Sequence, residues 1–191
     1  MSFYDLIVSR RTIRQFRQES IELGSLQKMV NAARLAPSGA NRQPLEFVVV
    51  NDPEQKKRLF PLLKWAGYIA PKGNPQPGQK PTAYIVVLVN TSILKKGYEW
   101  DTGAAVENII LTAAEEGIGS CWLASIDHQA LGNLLSVPST HQIDAVVALG
   151  YPAEAPVVED FVDSVEYWKD ETNRLHVPKR TLESVIHYNR F

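Results

Sequence analysis

Apolar positions along this chain recur at three different spacings. From Glu22 to Leu35, residues Leu23, Leu26, Met29, Val30 and Ala33 return every three or four positions, which predicts an amphipathic helix closed by Pro37-Ser38-Gly39. Upstream, Ser2-Phe3-Tyr4-Asp5 has the spacing of a capping box, so a short first helix is expected to run into Val8. LEFVVVND, TAYIVVLVN and IDAVVALGY are β-branched runs bounded by turn residues and predict buried strands, with CWLAS as a shorter fourth. In WDTGAAVENIILTAAEEG, residues 100–117, the positions Ala104, Ala105, Val106, Ile109, Ile110, Leu111, Ala113 and Ala114 cover most of a helix circumference. A helix apolar nearly all round is enclosed, either at the centre of a domain or in a subunit interface, and the pattern leaves both open.

Two stretches break these rhythms. Residues 67–81, GYIAPKGNPQPGQKP, hold four prolines and three glycines with little apolar content and predict a long loop, of the kind that serves as a lid or binding loop or is disordered. The tail from Pro152 is polar at first and ends in TLESVIHYNRF, where Leu182, Val185 and Ile186 predict an amphipathic closing helix.

Composition changes the picture only by exclusion. The 191 residues suit one domain, able to bury roughly 70% of its unfolded surface. Twenty Lys and Arg against 21 Asp and Glu give a net charge of -1, so there is no global field for nucleic acid and any basic function is local. Cys121 is the single cysteine, which excludes an internal disulfide and a thiolate metal cage. The amino terminus lacks a long apolar signal core and no run reaches about 18 apolar residues, so the expected setting is cytoplasmic, without a membrane partner.

Against that balance, SRRTIRQFR places four arginines in nine positions, 9–17. If the segment is extended, Arg10, Thr12, Arg14 and Phe16 share one side and Arg11, Ile13 and Gln15 the other. Two guanidiniums flanking a hydroxyl suit a phosphate, since the planar forks bind two oxygens each and the hydroxyl a further one. Charge-assisted bonds contribute roughly 1.5 to 3 kcal/mol each, too little alone against an association cost of roughly 4 to 15 kcal/mol. The phosphate is therefore expected to belong to something large and flat. Lys179-Arg180 is a second basic pair, far off in sequence.

Familiar nucleotide and nucleophile signatures are absent. There is no G-x-x-x-x-G-K-[ST], GIGSCW carries Trp122 where a dinucleotide fingerprint needs its third glycine, and neither Ser38 nor Ser120 lies in G-x-S-x-G. His128, His141, His176 and His187 lack metal-ligand spacing and read as surface or hydrogen-bonded residues, and Cys121 reads as packed. No side chain qualifies as a catalytic residue and no metal site is expected, so a cofactor is the natural source of chemistry.

SRRTIRQF, AARLAPSGANRQPLEFVVV, EEGIGSCWL, VVALGYPAE and VPKRTLESVIHYNRF occur in the order and spacing of the FMN-dependent nitroreductase family, in its short-chain form, and the resemblance spans nearly the whole chain. It implies an α+β fold with a central mixed β-sheet wrapped by helices, and a single domain over 1–191. It further implies an intertwined homodimer holding FMN in grooves at its interface. Residues 101–117 would then form the dimer core, and 152–191 an extension that wraps the partner.

Carried over residue by residue, the resemblance gives Arg10 and Thr12 to phosphate and ribityl oxygens, with Arg11 adding contacts. Arg14 goes to the pyrimidine edge, where a cation stabilises negative charge on reduced flavin. Pro37, Ser38, Gly39 and Asn41, joined by Gln43, would reach the flavin of the partner chain. Leu123, Ala124 and Ser125 match the strand end facing the flavin ring, and Lys179 and Arg180 match carboxy-terminal phosphate contacts. The implied reaction is a ping-pong cycle, hydride passing from NAD(P)H through flavin N5 to a nitroaromatic, quinone or similar small acceptor. Alternatives within the resemblance are a dehalogenase or flavin-consuming enzyme, and an FMN-binding protein without turnover.

Overall fold

The structure is a computed structural model and describes residues 2–191. Helix α1 (Phe3–Ser9) opens as its sequence predicts: the Ser2 hydroxyl accepts from the Asp5 amide while the Asp5 carboxylate accepts from the Ser2 amide. The chain continues through α2 (Leu23–Arg34), β1 (Leu45–Val50), α3 (Pro53–Leu59), β2 (Ala83–Asn90), α4 (Glu99–Glu115), β3 (Gly119–Leu123), α5 (His128–Leu135) and β4 (His141–Gly150). Three short strands follow, β5 (Val157–Asp160), β6 (Trp168–Lys169) and β7 (Leu175–Lys179).

Strands β1 to β4 form one sheet in the order β1-β2-β4-β3, with every neighbouring pair antiparallel. The parallel component of the expected mixed sheet is a single bridge at its edge, Thr12 beside Ser120. Side chains alternate between the faces of β2 and β4, and each face carries its own apolar layer. Ile85, Val87, Val147 and Leu149 face α2 and α4, where Leu26, Met29, Val106, Ile109 and Ala113 are buried. Tyr84, Val86, Val146 and Ala148 face the opposite way, against Leu59, Leu63, Trp65 and Leu131. Both faces being covered explains why these strands read as continuous apolar runs instead of alternating ones.

Helix α4 is enclosed on one side by the sheet and α2, while Ala104, Leu111 and Ala114 on its flank stay half-buried. No described helix is long and apolar enough to cross a membrane.

Residues 67–81 form no strand or long helix and are mostly exposed, yet the segment is anchored at several points. Gly73, Pro75 and Pro81 are buried, and a Cβ on Gly73 would lie 2.5 Å from that of Ala66. The loop is pinned to the arginine segment by Gln15, itself 4% exposed, which donates to the Asn74 carbonyl and accepts from the Gln76 amide. Phe16 N–H donates to the Gln79 carbonyl at 3.0 Å.

The tail departs from expectation. In place of an amphipathic helix, only one 3-10 turn forms, Leu182–Ser184, and Leu182, Val185 and Ile186 are exposed. Among the described residues nothing covers their stripe, and a short isolated helix is marginal without a surface to pack on.

Candidate functional site

The arginine segment leaves α1 at Arg10 and runs extended along the open edge of β3. Ile13 N–H donates to the Ser120 carbonyl at 2.9 Å, and Glu154, beyond β4, accepts from the amides of Arg14 and Gln15. Two glycines permit this close approach: a Cβ on Gly119 would lie 2.8 Å from the Ile13 side chain, and one on Gly150 2.8 Å from the Phe16 ring.

Ile13 and Gln15 therefore point into the protein, while Arg10, Thr12 and Arg14 stay half-buried on the other side. Strict alternation fails at two positions. Phe16 is buried rather than sharing the arginine face, because it fills the space over Gly150. Arg11 folds back, its Nη1 donating to the carbonyls of Val8 at 2.7 Å and Arg10 at 2.6 Å, where the free carbonyls of α1 favour a cation.

Arg10, Arg11, Thr12 and Arg14 line one cavity of about 530 Å³, and Lys179 of β7 lines it from the other end of the chain. Its apolar wall is Ile7 and Val8 of α1 with Val158 and Val177; Tyr167 completes it. The Arg14 guanidinium lies 4.8 Å over the Tyr167 ring, and Tyr167 in turn meets Tyr68 of the long loop edge-on at 5.0 Å. Burial, and after it the charge of Arg10, lowers the pKa of Arg11. The Nε atoms of Arg11 and Arg14 are buried with no hydrogen-bond partner among the described residues. Buried donors of that kind call for an acceptor.

The remaining predicted residues lie elsewhere in the chain. Pro37, Ser38 and Gln43 line a separate cavity of about 150 Å³ together with Asp101 and Ala105. Ser38 donates its hydroxyl to Asp101 at 2.6 Å, Gly39 donates its amide to the same carboxylate at 2.9 Å, and Ser38 Oγ accepts from the Gln43 amide. The turn so held contains three non-glycine residues with positive φ, Ala40 at 51°, Asn41 at 54° and Gln43 at 51°. Asn41 and Gln43 are exposed, and the Gln43 amide group donates to Asn41 Oδ1.

Leu123 is buried at the end of β3, whereas Ala124 and Ser125 are exposed just beyond it, with the Ser125 carbonyl accepting from the Lys64 amide. Arg180 is exposed and donates to the Ser184 carbonyl, so of the second basic pair Lys179 alone lines the larger cavity.

Sequence reasoning did not assign Ile7, Val8, Val158, Tyr167 and Val177 to the cavity, nor Glu154 to the arginine segment. Val177 carried a signal, since LHVPK alternates as short strands do; VVED does not alternate, and Tyr167 and Glu154 sit in polar stretches without periodicity.

The sequence profile of the Nitroreductase family matches residues 7–151. A protein of Archaeoglobus fulgidus, provisionally named NADH dehydrogenase/NAD(P)H nitroreductase, is 34% identical over 181 residues, covering 91% of this chain and 96% of its own. An iodotyrosine deiodinase of Haliscomenobacter hydrossis is 26% identical, covering 83% of this chain and 82% of its own. Among solved structures, an FMN-dependent nitroreductase of Clostridium difficile superposes with a TM-score of 0.70 at 24% identity, over 98% of this chain and 99% of its own. On the length of the profile match and the identity to the archaeal relative, the chain belongs to the Nitroreductase family.

Proposed function

We propose that this chain is an FMN-dependent oxidoreductase, working as a homodimer, that passes electrons from NAD(P)H to a nitroaromatic, quinone or similar small acceptor. The observation carrying the proposal is the convergence of Arg10, Arg11, Thr12 and Arg14 with Lys179 on one cavity. The residues present fit FMN: cations for a doubly charged phosphate, a hydroxyl donor, two buried guanidinium N–H groups lacking acceptors, and an apolar and aromatic wall.

FMN, when bound, supplies the chemistry of accepting and returning a hydride. The chain's own part is to bind and to tune. Arg10 and Lys179 hold the phosphate, Thr12 donates to a neighbouring oxygen, and Arg14, steadied by Tyr167, stabilises negative charge on the ring. Solvent supplies the protons.

In the homodimer, Pro37, Ser38, Gly39, Asn41 and Gln43 complete the partner's site, Leu123, Ala124 and Ser125 face the ring, and Arg180 lies beside the phosphate. Exposed apolar groups support such pairing: Phe3, Tyr4, Leu35, and in the tail Leu182, Val185, Tyr188 and Phe191. One domain spans 1–191, and the expected setting is the cytoplasm.

The deiodinase relative favours one second reading, reductive removal of halogen from a phenol at the same site. Purified protein should be yellow, and anaerobic NADH or NADPH should bleach it. A colourless protein that takes up no FMN overturns the proposal, and a yellow one that neither nucleotide bleaches overturns the donor. Anaerobic turnover of an iodophenol against a quinone separates the two readings.

A further inference from the structure

The wall carrying Lys179 is built from very short strands. It is a three-stranded sheet in the order β5-β7-β6, whose strands are four, five and two residues long. Sheets this small are marginal on backbone pairing alone. Their two faces do different work. Val158, Tyr167, Val177 and Lys179 face the cavity. The alternate positions Glu159, Trp168 and His176 meet on the other face.

There, His176 bridges the sheet. Its Nδ1 lies 2.9 Å from Glu159 Oε2 of β5, and its Nε2 3.3 Å from Asp170 Oδ2, just beyond β6. Trp168 stacks on the imidazole, with centroids 4.2 Å apart and planes 19° from parallel, and donates its indole N–H to Glu159. A neutral imidazole has one N–H and would turn a lone pair toward the other carboxylate; only the imidazolium donates to both.

We infer that His176 is a positioning residue, whose protonated ring clasps β5 and β6 onto β7 and so holds Lys179 and the valine wall in place around an anionic ligand. This rests on the FMN reading for the identity of the ligand.

Charges around the ring are one-sided. Glu159 faces it from β5, and Asp170 faces it from beyond β6. Lys169 and Arg174 are close in sequence but form no ion pair with it or with these carboxylates among the described residues. Arg174 instead donates its amide to Asp170 and its Nε to the Ala155 carbonyl. Hydrogen bonding to Glu159 raises the His176 pKa above its usual 6.5, while Asp170, bonded by Thr172 and the Arg174 amide, falls to about 2. Both carboxylates thus stay ionised throughout the useful range. With a raised pKa, the clasp is complete at and below the ordinary imidazole value of about 6.5 and is lost as pH rises through the folded value.

The test is FMN affinity of the dimer by fluorescence quenching from about pH 7 to about pH 9, above the phosphate pKa of about 6 so that the ligand's own charge stays fixed. Wild-type affinity should weaken by about fivefold across that range, and His176→Gln should be weak and flat. Proton NMR of the His176 C2–H provides a measurement without ligand: its pKa should exceed about 6.5 and fall in Glu159→Gln. A flat wild-type profile, a His176→Gln profile as steep as wild type, or an imidazole titrating at or below the ordinary value overturns the inference while leaving the function standing. Failure to bind FMN at any pH overturns the function, and the ligand assigned here with it.

Discussion

The Ser38 hydroxyl donates to the buried carboxylate of Asp101 at 2.6 Å, tying the turn after α2 to the first turn of α4. Asp101 is 5% exposed and has no ion-pair partner among the described residues; its charge is met by Ser38, by the Gly39 amide and by the amino-terminal end of the helix. Asp101→Ala leaves the Ser38 hydroxyl and the Gly39 amide without an acceptor, at roughly 1 to 3 kcal/mol each. Urea unfolding should show a loss of about 2 to 6 kcal/mol for this variant, and about half of that for Asp101→Asn, which can still accept one bond.

Arg10 and Lys179 reach the same cavity from opposite ends of the chain. Removing either is expected to weaken FMN binding by about tenfold or more, as for a charge-assisted contact of roughly 1.5 to 3 kcal/mol. The double variant should release the flavin on dialysis. Retention at wild-type level in ultrafiltration would place the phosphate somewhere else.

Gly119 and Gly132 offer a matched pair. A Cβ at Gly119 collides with Ile13, so Gly119→Ala should push the arginine segment off β3, costing about 1 to 3 kcal/mol and reducing flavin content. Gly132, inside α5, has open space around the added carbon, and Gly132→Ala should stabilise by about 0.5 to 1 kcal/mol. Thermal melts with absorbance spectra of both variants decide whether close approach at position 119 is what matters.

Burial pushes the Cys121 thiol up to about 11, the charge of Glu154 adding to the rise and that of Arg14 opposing it. The raised value leaves a thiolate fraction about a hundredfold smaller near pH 8 than in an unfolded chain. Native protein should therefore resist iodoacetamide at that pH and react promptly once denatured, with mass spectrometry as the readout. Rapid native labelling would mean that β3 opens easily.

What could be read from the sequence follows from which patterns are local. Strands β1, β2 and β4 announced themselves because both sheet faces are covered, and α1 because Ser2 and Asp5 cap it within four residues. Helix α3 passed unnoticed because PEQKKRL buries only Leu59; its usable signal was Asp52 accepting from Gln55, with Pro53 at the first helical position. Helix α5 likewise had its Asp127 cap. Alternation along RRTIRQF placed Arg10, Thr12 and Arg14 together, but could not foresee Arg11 turning back on the carbonyl end of α1, a helix-end contact outside the strand period, or Phe16 sinking over Gly150, a neighbour distant in sequence. Tyr167 was illegible for the same reason: what selects it is the Arg14 guanidinium, and nothing adjacent in the chain.

Neither apolar layer takes a buried member from beyond Leu149, and the family profile ends at residue 151, whereas Val158, Tyr167, Val177 and Lys179 all come later. One wall of the ligand grip is thus written outside the stretch that builds the scaffold, while the arginine wall lies within it. Substitutions at Val158, Val177 or Lys179 can strengthen, loosen or redirect that wall without removing a buried member of either apolar layer, which gives this architecture room to change what it holds.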